Sequence, residues 1–225
     1  MNLKRIAGEK AAEYVRDGMT LGLGSGSTVY WALKRIGEMV KNGLRITGVP
    51  TSRKTEDLAA EFGIPLANLA RNLKIGLAID GADRIGPDLV LVKGGGGALL
   101  REKLVAGAAE SFIVIADESK LVAGLGDFPL PVEIAKFGCE TTMKRISETG
   151  ADAVLRMNGG SPFITDNENY IADCRYARID EPARLHARLK LLTGVVETGL
   201  FIDMADLAIV AGEDGIKMLE KGKRP

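Results

Sequence analysis

Through its first half the chain alternates short apolar runs with segments whose apolar residues recur every three or four positions. Met19 to Leu23, Arg45 to Val49, Ile75 to Ile79, Leu89 to Val92 and Phe112 to Ala116 read as buried strands. Between them, Thr28 to Val40 places Val29, Ala32, Leu33, Ile36 and Val40 on one face and reads as a helix. Ser52 looks like the N-cap of a second helix, which runs through Leu58 and Phe62 and is closed by Gly63 and Pro65. A third helix spans about Ala98 to Ala109, with Leu100, Leu104 and Ala108 facing inward and Glu102 on another face. Such βα alternation implies a parallel sheet covered on both faces.

After Asp127 the rhythm changes. Pro129 to Ile134 is a candidate edge strand, because proline cannot serve a central ladder. A helix follows from Cys139 to Glu148, ended by Gly150; Ala153 to Met157, Phe163 to Thr165 and Tyr170 to Asp173 read as strands. A helix from Glu181 to Leu192 and a strand from Val195 to Ile202 complete a βαβββαβ-like order. This predicts a small α+β, ferredoxin-like domain over 128–203, inserted in a sheet domain of 1–127 plus 204–225. Leu207 to Gly212 supplies one more buried strand for the sheet domain, and a closing helix ends in the basic tail Lys221-Gly-Lys-Arg-Pro.

Composition narrows the partners. Lys plus Arg equals Asp plus Glu at 30 each, and aromatics are only 5%. Nothing favours nucleic acid, which needs a basic face and stacking surfaces. No run reaches the length of a membrane span and the first residues lack a signal-peptide core, so the expectation is a cytoplasmic protein. Cys139 and Cys174 read as reduced thiols. The single histidine, His186, excludes His-based metal sites and triads, so proton transfer must use carboxylates or lysine. No metal is expected.

The chemistry concentrates in residues 80 to 102. Asp80-Gly81-Ala82-Asp83 ends a strand, where open α/β sheets place their ligands, and two carboxylates there can hold hydroxyls. By itself the motif also suits a plain turn. Lys93 precedes Gly94-Gly95-Gly96-Gly97, a costly run for a mere turn, but one that sets bare N–H groups beside a cation. That arrangement suits an oxyanion. Glu102 follows within the first turns of the next helix; it could simply complement the helix dipole. A glutamate desolvated in a cleft, however, can move from its usual pKa of about 4.3 toward neutrality, as a general base requires.

Upstream, Gly22-Leu-Gly-Ser25-Gly26-Ser27-Thr28 joins the first strand to the first helix. It is either a tight turn capped by Ser27 or Thr28, or a loop that offers helix N–H groups to an anion. Ser27 stands where a dinucleotide fingerprint needs glycine, and no lysine completes a P-loop. What remains is a hydroxyl-rich loop suited to a phosphate or polyol. Lys120, after another strand, could meet a phosphate but as a lone lysine is more often a solvated surface charge; Lys4 has the same status, more weakly.

With these residues assembled, the chain resembles the ribose-5-phosphate isomerase type A family over nearly its full length. The matching motifs are Gly24-Ser-Gly-Ser-Thr28, Gly48-Val-Pro-Thr-Ser52, Asp80-Gly-Ala-Asp83, Lys93-Gly-Gly-Gly-Gly97, Arg101-Glu-Lys103, Asp117-Glu-Ser-Lys120, Pro131-Val-Glu133, Thr165-Asp-Asn167 and Gly194-Val-Val-Glu197. The resemblance implies a cofactor-free aldose-ketose isomerase that interconverts D-ribose 5-phosphate and D-ribulose 5-phosphate through a cis-enediol(ate), in the non-oxidative pentose phosphate pathway. It implies Glu102 as the base moving a proton between C2 and C1, Asp80 as the group that helps open the furanose, and Asp83 as a hydroxyl holder. Lys93 with Gly94, Gly95 and Gly96 would stabilise the enediolate oxygen, and Ser25, Gly26, Ser27, Thr28 and Lys120, with Lys4, would bind substrate and phosphate. A Rossmann-like catalytic domain and a homodimer or homotetramer are also implied.

Four positions depart from the family pattern. Arg84 stands where an acid usually follows Asp83, Glu168 replaces the glycine of an Asp-Asn-Gly turn, Thr193 replaces a proline, and Ser25 replaces a frequent threonine. Two other classes compete: a non-catalytic sugar-phosphate sensor, which would need no base, and an acyl- or CoA-transferring enzyme with a glutamate nucleophile.

Overall fold

The structure, a computed structural model, describes residues 1–70 and 73–222. In chain order the first elements are α1 (Leu3–Ala12), β1 (Thr20–Leu23), α2 (Val29–Lys41), β2 (Thr47–Pro50), α3 (Arg53–Glu61) and β3 (Leu77–Gly81). Then come β4 (Arg84–Ile85), β5 (Leu91–Val92), α4 (Leu99–Ala108), β6 (Phe112–Asp117), β7 (Leu130–Ile134), α5 (Cys139–Ser147) and β8 (Asp152–Leu155). The rest are β9 (Met157–Asn158), β10 (Ser161–Pro162), β11 (Tyr170–Arg175), α6 (Pro182–Lys190), β12 (Val195–Thr198), β13 (Leu200–Phe201), β14 (Leu207–Gly212) and β15 (Gly215–Glu220).

Two compact units emerge. The first holds Met1–Ala82, Arg101–Leu121 and Asp203–Pro225; the second holds Asp83–Leu100 and Val122–Ile202. The chain therefore passes between units after Ala82 and again after Leu100, which gives 83–100 to the smaller unit rather than to the sheet unit.

The first unit is built on a six-stranded sheet ordered β15-β14-β6-β3-β1-β2, parallel except for the β14–β15 pair. From β1 the chain goes to β2 on one side and then to β3 on the other. The point between β1 and β3 is thus the switch point at which open α/β sheets bind ligands. Leu21, Leu23, Ile79, Ile113 and Ile209 meet Ala7 and Ala11 of α1 and Leu33 and Ile36 of α2 in one core. Helix α1, absent from the expectations above, packs closely because of Gly8: a Cβ there would lie 2.8 Å from Ala32 N.

Two expectations for this part fail. The closing segment is the strand β15, not a helix, joined to β14 by the two-residue turn Glu213-Asp214 with Gly215 at φ 117°. Residues 223–225 of the basic tail lie outside the described residues. In α4, Leu104 is 54% exposed whereas Leu99, Glu102, Val105 and Ala106 are buried, so the inward face is the one that carries Glu102. The apolar spacing Leu100-Leu104-Ala108 misled because the true inner face, Leu99, Val105 and Ala106, is interrupted by the acid Glu102.

The second unit has a four-stranded antiparallel sheet ordered β12-β7-β11-β8, the βαββαβ arrangement of ferredoxin-like units. Leu130, Val132, Ile134, Ala172 and Cys174 pack with Ile146 of α5 and Leu185 and Leu189 of α6. Strand β7 is central rather than an edge. Pro131 is tolerated because the Gly199 carbonyl opposite it takes the Lys93 N–H (2.9 Å), while Gly199 N–H donates to Pro131 O (2.7 Å), so the missing proline donor strands no acceptor. Gly199 also splits the expected 195–202 strand into β12 and β13. Residues 163–165 form no strand, because the short hairpin β9–β10 precedes them. The 89–92 run ends in β5 of a three-stranded antiparallel sheet β13-β5-β4, not in the parallel sheet. Among the described residues no helix is long and apolar enough to cross a membrane.

Candidate active site

In the first unit, the carboxyl ends of three neighbouring strands supply the site: the loop after β1 carries Gly24 to Thr28, β3 itself carries Asp80 next to its last residue, and the segment after β6 carries Lys120. Gly24 N–H donates to Ile79 O (2.9 Å), and Ser25 N–H donates to Asp80 Oδ1 (2.9 Å). Gly81 N–H donates to the same oxygen at 2.7 Å. The Asp80 carboxylate is 3% exposed and folds tightly under the loop: a Cβ on Gly24 would lie 2.2 Å from Asp80 Oδ1. Glycine at 24 is therefore required by close approach.

Ser25 does not point its side chain outward. Its hydroxyl meets Thr51 Oγ1 (2.9 Å), Ser52 Oγ (2.7 Å) and Thr55 Oγ1 (2.9 Å), and Thr55 Oγ1 donates to Gly24 O (2.8 Å). This hydroxyl cluster, from the Thr51-Ser52 motif and the start of α3, holds the loop from beneath; the sequence suggested only that Ser52 caps α3, which it does by accepting from Thr55 N–H (3.1 Å). Thr28 occupies the cap position of α2 without a side-chain cap bond, and Gly26 and Ser27 are exposed. Lys4 Nζ reaches across from α1 to Ser27 Oγ (2.9 Å). Lys4 sits one turn before Gly8 on the same helix face, so the close α1–α2 packing delivers its ammonium to the loop.

Glu102, 6% exposed in the first turn of α4, lines with Gly24, Asp80, Thr51 and Phe112 a gap too narrow to admit a water molecule. The two carboxylates thus border one narrow space beside the β1/β3 switch point.

The second unit holds Asp83, Lys93 and the glycines. Lys93 directly follows β5; it is 2% exposed, and its ammonium lies 5.4 Å from the centre of the Phe201 ring. Gly94 (φ 98°) and Gly97 (φ 84°) adopt left-handed conformations, and Gly97 N–H donates to Gly94 O (2.9 Å). The Gly95 N–H donates to Asp83 Oδ2 (2.7 Å), and a Cβ on Gly95 would collide with that carboxylate at 2.5 Å. Arg84 directs its charge away from this pair, through Nε to Asp127 Oδ2 (2.6 Å) and Nη1 to Asp83 O (2.8 Å). Two further motif residues, with Asn169 beside them, turn out to anchor a loop: Thr165 Oγ1 (2.9 Å), Asn167 Nδ2 (3.2 Å) and Asn169 Nδ2 (2.9 Å) all donate to Oε1 of the buried Glu133.

Comparison with known proteins decides the family. The family model described as Ribose 5-phosphate isomerase A (phosphoriboisomerase A) matches residues 47–215. The chain belongs to the ribose-5-phosphate isomerase A family. A curated relative of that name from Bacillus mycoides (strain KBAB4) is 56% identical over 218 residues, covering 96% of this chain and 99% of its own. The ribose 5-phosphate isomerase of Plasmodium falciparum superposes with a TM-score of 0.95 at 41% identity, covering 98% of this chain and 99% of its own. A D-ribose-5-phosphate isomerase solved in complex with phospho-erythronic acid gives a TM-score of 0.94 at 41% identity, with 98% and 100% covered. The chain is accordingly an aldose-ketose isomerase of ribose 5-phosphate, with a Rossmann-like sheet domain and a smaller ferredoxin-like one.

Proposed function

We propose that ribose 5-phosphate and ribulose 5-phosphate are interconverted here through a cis-enediolate, with Glu102 carrying the proton. The observation that supports this reading is that two buried carboxylates, Glu102 and Asp80, line the same narrow gap. Asp80, fixed through one oxygen by two backbone N–H groups, exchanges protons with the sugar hydroxyls and opens the furanose. Glu102 then removes the C2 proton of the open aldose; the electron pair forms the C1–C2 double bond and the charge settles on O1. The O2 proton passes to O1, the C2=O2 bond forms as the C1–C2 double-bond pair takes the proton back from Glu102 at C1, and the ketose results.

Lys93 with the Gly94 and Gly96 amides holds the developing oxyanion, a role in which fixed donors are worth far more than in water, while the Gly95 amide keeps Asp83 in place beside them. Asp83, with Gly81 and Ala82 beside it in the chain, holds a hydroxyl. Gly26, Ser27, Thr28, Lys4 and Lys120 take the phosphate, whose charge suits the N-terminus of α2. Ser25 acts mainly through its N–H on Asp80. Phospho-erythronic acid, bound by one relative, carries a carboxylate at one end and a phosphate at the other, which fits an enediolate and phosphate pair. Every proton in this scheme moves on a carboxylate, so no cofactor enters it. A homodimer or homotetramer working in the cytoplasm completes the proposal, and light scattering of the purified chain tests the assembly.

Turnover in D2O tests the mechanism. Deuterium appearing at C2 of recovered ribose 5-phosphate and at C1 of ribulose 5-phosphate is expected; product formed with no solvent deuterium would indicate direct hydride transfer and overturn the enediolate.

A further inference from the structure

A loop of four glycines has no side chains to fix it, yet an oxyanion cradle works only if its N–H groups are already aimed. Something else must hold the turn. In the second unit it lies on the face of the four-stranded sheet opposite α5 and α6, where a Cβ on Gly94 would come within 3.1 Å of Pro131 and one on Gly97 within 2.4 Å of the Phe163 ring. Across that face reaches Arg156, immediately after β8. Its Nη1 donates to Gly94 O (2.9 Å) and to Gly95 O (3.1 Å), and its Nε donates to Asp173 Oδ2 (2.9 Å), with Nη2 on the other Asp173 oxygen.

The guanidinium is itself immobilised. Its side chain is only 14% exposed and lies 5.7 Å from the Phe163 ring centre. Its backbone is tied on both sides, by Arg156 N–H to Ile171 O (2.8 Å) and by Phe163 N–H to Arg156 O (2.8 Å). A planar fork gripping a carboxylate on one edge and two carbonyls on another is a rigid bracket that an ammonium could not reproduce.

We infer that Arg156 is a positioning residue for catalysis: it sets the direction and strength of the glycine N–H donors without touching substrate. In a trans peptide the C=O and N–H point opposite ways in one plane. Holding Gly94 O therefore fixes the Gly95 N–H, which is the donor that orients Asp83. Holding Gly95 O fixes the Gly96 N–H on the side away from Arg156. Gly96 is exposed, and a Cβ there would meet nothing within 4 Å, so its surroundings are open to a ligand. A cation on the carbonyl side also polarises each peptide and sharpens its N–H as a donor. The inference rests on the reading of the glycine run as the oxyanion cradle.

Steady-state kinetics of Arg156→Ala, Arg156→Lys and Lys93→Ala, on variants whose circular dichroism and thermal unfolding show them folded, test it. For Arg156→Ala, kcat is expected to fall about 10- to 100-fold, less than for outright loss of an oxyanion donor. KM for ribose 5-phosphate should move only a few-fold, because the phosphate grip lies on other loops. Added guanidinium should restore part of kcat to Arg156→Ala, which a purely structural role would not allow. Arg156→Lys keeps the charge and the fold but should still lose kcat, since it cannot bracket both carbonyls. If Lys93→Ala loses turnover while folded Arg156→Ala and Arg156→Lys keep parental kcat, or if guanidinium rescues nothing, the positioning role is wrong. If Lys93→Ala itself turns over normally, the cradle reading fails instead.

Discussion

Glu168 lies in the left-handed region at φ 62°, where its Cβ crowds the following carbonyl. The turn it belongs to is held by Thr165 N–H on Asn169 O (2.9 Å) and by Glu168 N–H on Thr165 O (3.0 Å), with Glu133 gathering the side chains beneath. The Glu168 side chain makes an exposed pair with Lys136 at 3.1 Å, which contributes little. Glu168→Gly should therefore raise stability by about 0.5–1 kcal/mol, the relief of strain exceeding the extra freedom given to the unfolded chain. Chemical denaturation measures this, and a lower midpoint would contradict it. The same loop shows what single residues disclose in advance. A glycine position occupied by glutamate is visible in the sequence as an anomaly, whereas the convergence of Thr165, Asn167 and Asn169 on one carboxylate is not, because their donors meet only after β7 and β11 pair. Arg156 is less visible still: it belongs to no motif, and its partners Asp173, Gly94 and Gly95 are joined to it only by tertiary structure.

At the scale of elements, the placement of Lys4 depends on how α1 sits on α2. Gly8 lets the helices approach until a Cβ would stand 2.8 Å from Ala32 N and 2.9 Å from Trp31 Cβ. Gly8→Ala would improve helix propensity by about 0.5–1 kcal/mol, yet overpacking of this kind costs about 1–3 kcal/mol. The variant should melt lower, and with α1 displaced from Ser27 its KM for ribose 5-phosphate should rise while kcat changes little; an unchanged KM would refute the link between this packing and the phosphate loop. Elements with long apolar runs or a clear helical stripe, such as α2, α3, β6 and β14, were legible because burial alone dictates them. The two-residue strands β4, β5 and β13 carry too few residues to show a period. The β14–β15 hairpin was missed although Asp214-Gly215 announces a turn. Its exposed edge strand mixes Lys217 and Glu220 with Ile216, Met218 and Leu219 in a run too short to set a strand period apart from a helical one.

For the whole molecule, each unit has its own core, and Cys174 lies fully inside the second. Burial pushes its thiol up from 9.0 to about 12, helped by the neighbouring Asp173 charge. The unfolded thiol ionises near 9.0, so the stability gained from keeping it neutral is full below that pH and is lost as pH rises toward about 12. At pH 8 iodoacetamide should label the half-buried Cys139 and spare Cys174 until the protein is unfolded. Equal labelling of both thiols in the native protein would contradict the packing of this core.

The catalytic scheme as a whole was legible from chemistry as a carboxylate-driven reaction on a small anion, because glycine runs and paired acids are costly without such a role. The depth at which Glu102 lies was not legible, since the apolar spacing in α4 pointed to the opposite face. That burial makes Glu102 the place to test the account. In Glu102→Gln, kcat should fall by about 10²- to 10⁴-fold, the usual contribution of a general base, while calorimetric titration with ribose 5-phosphate still finds binding near the parental affinity. A variant that isomerises at close to the parental rate would contradict the assignment of Glu102 as the proton carrier.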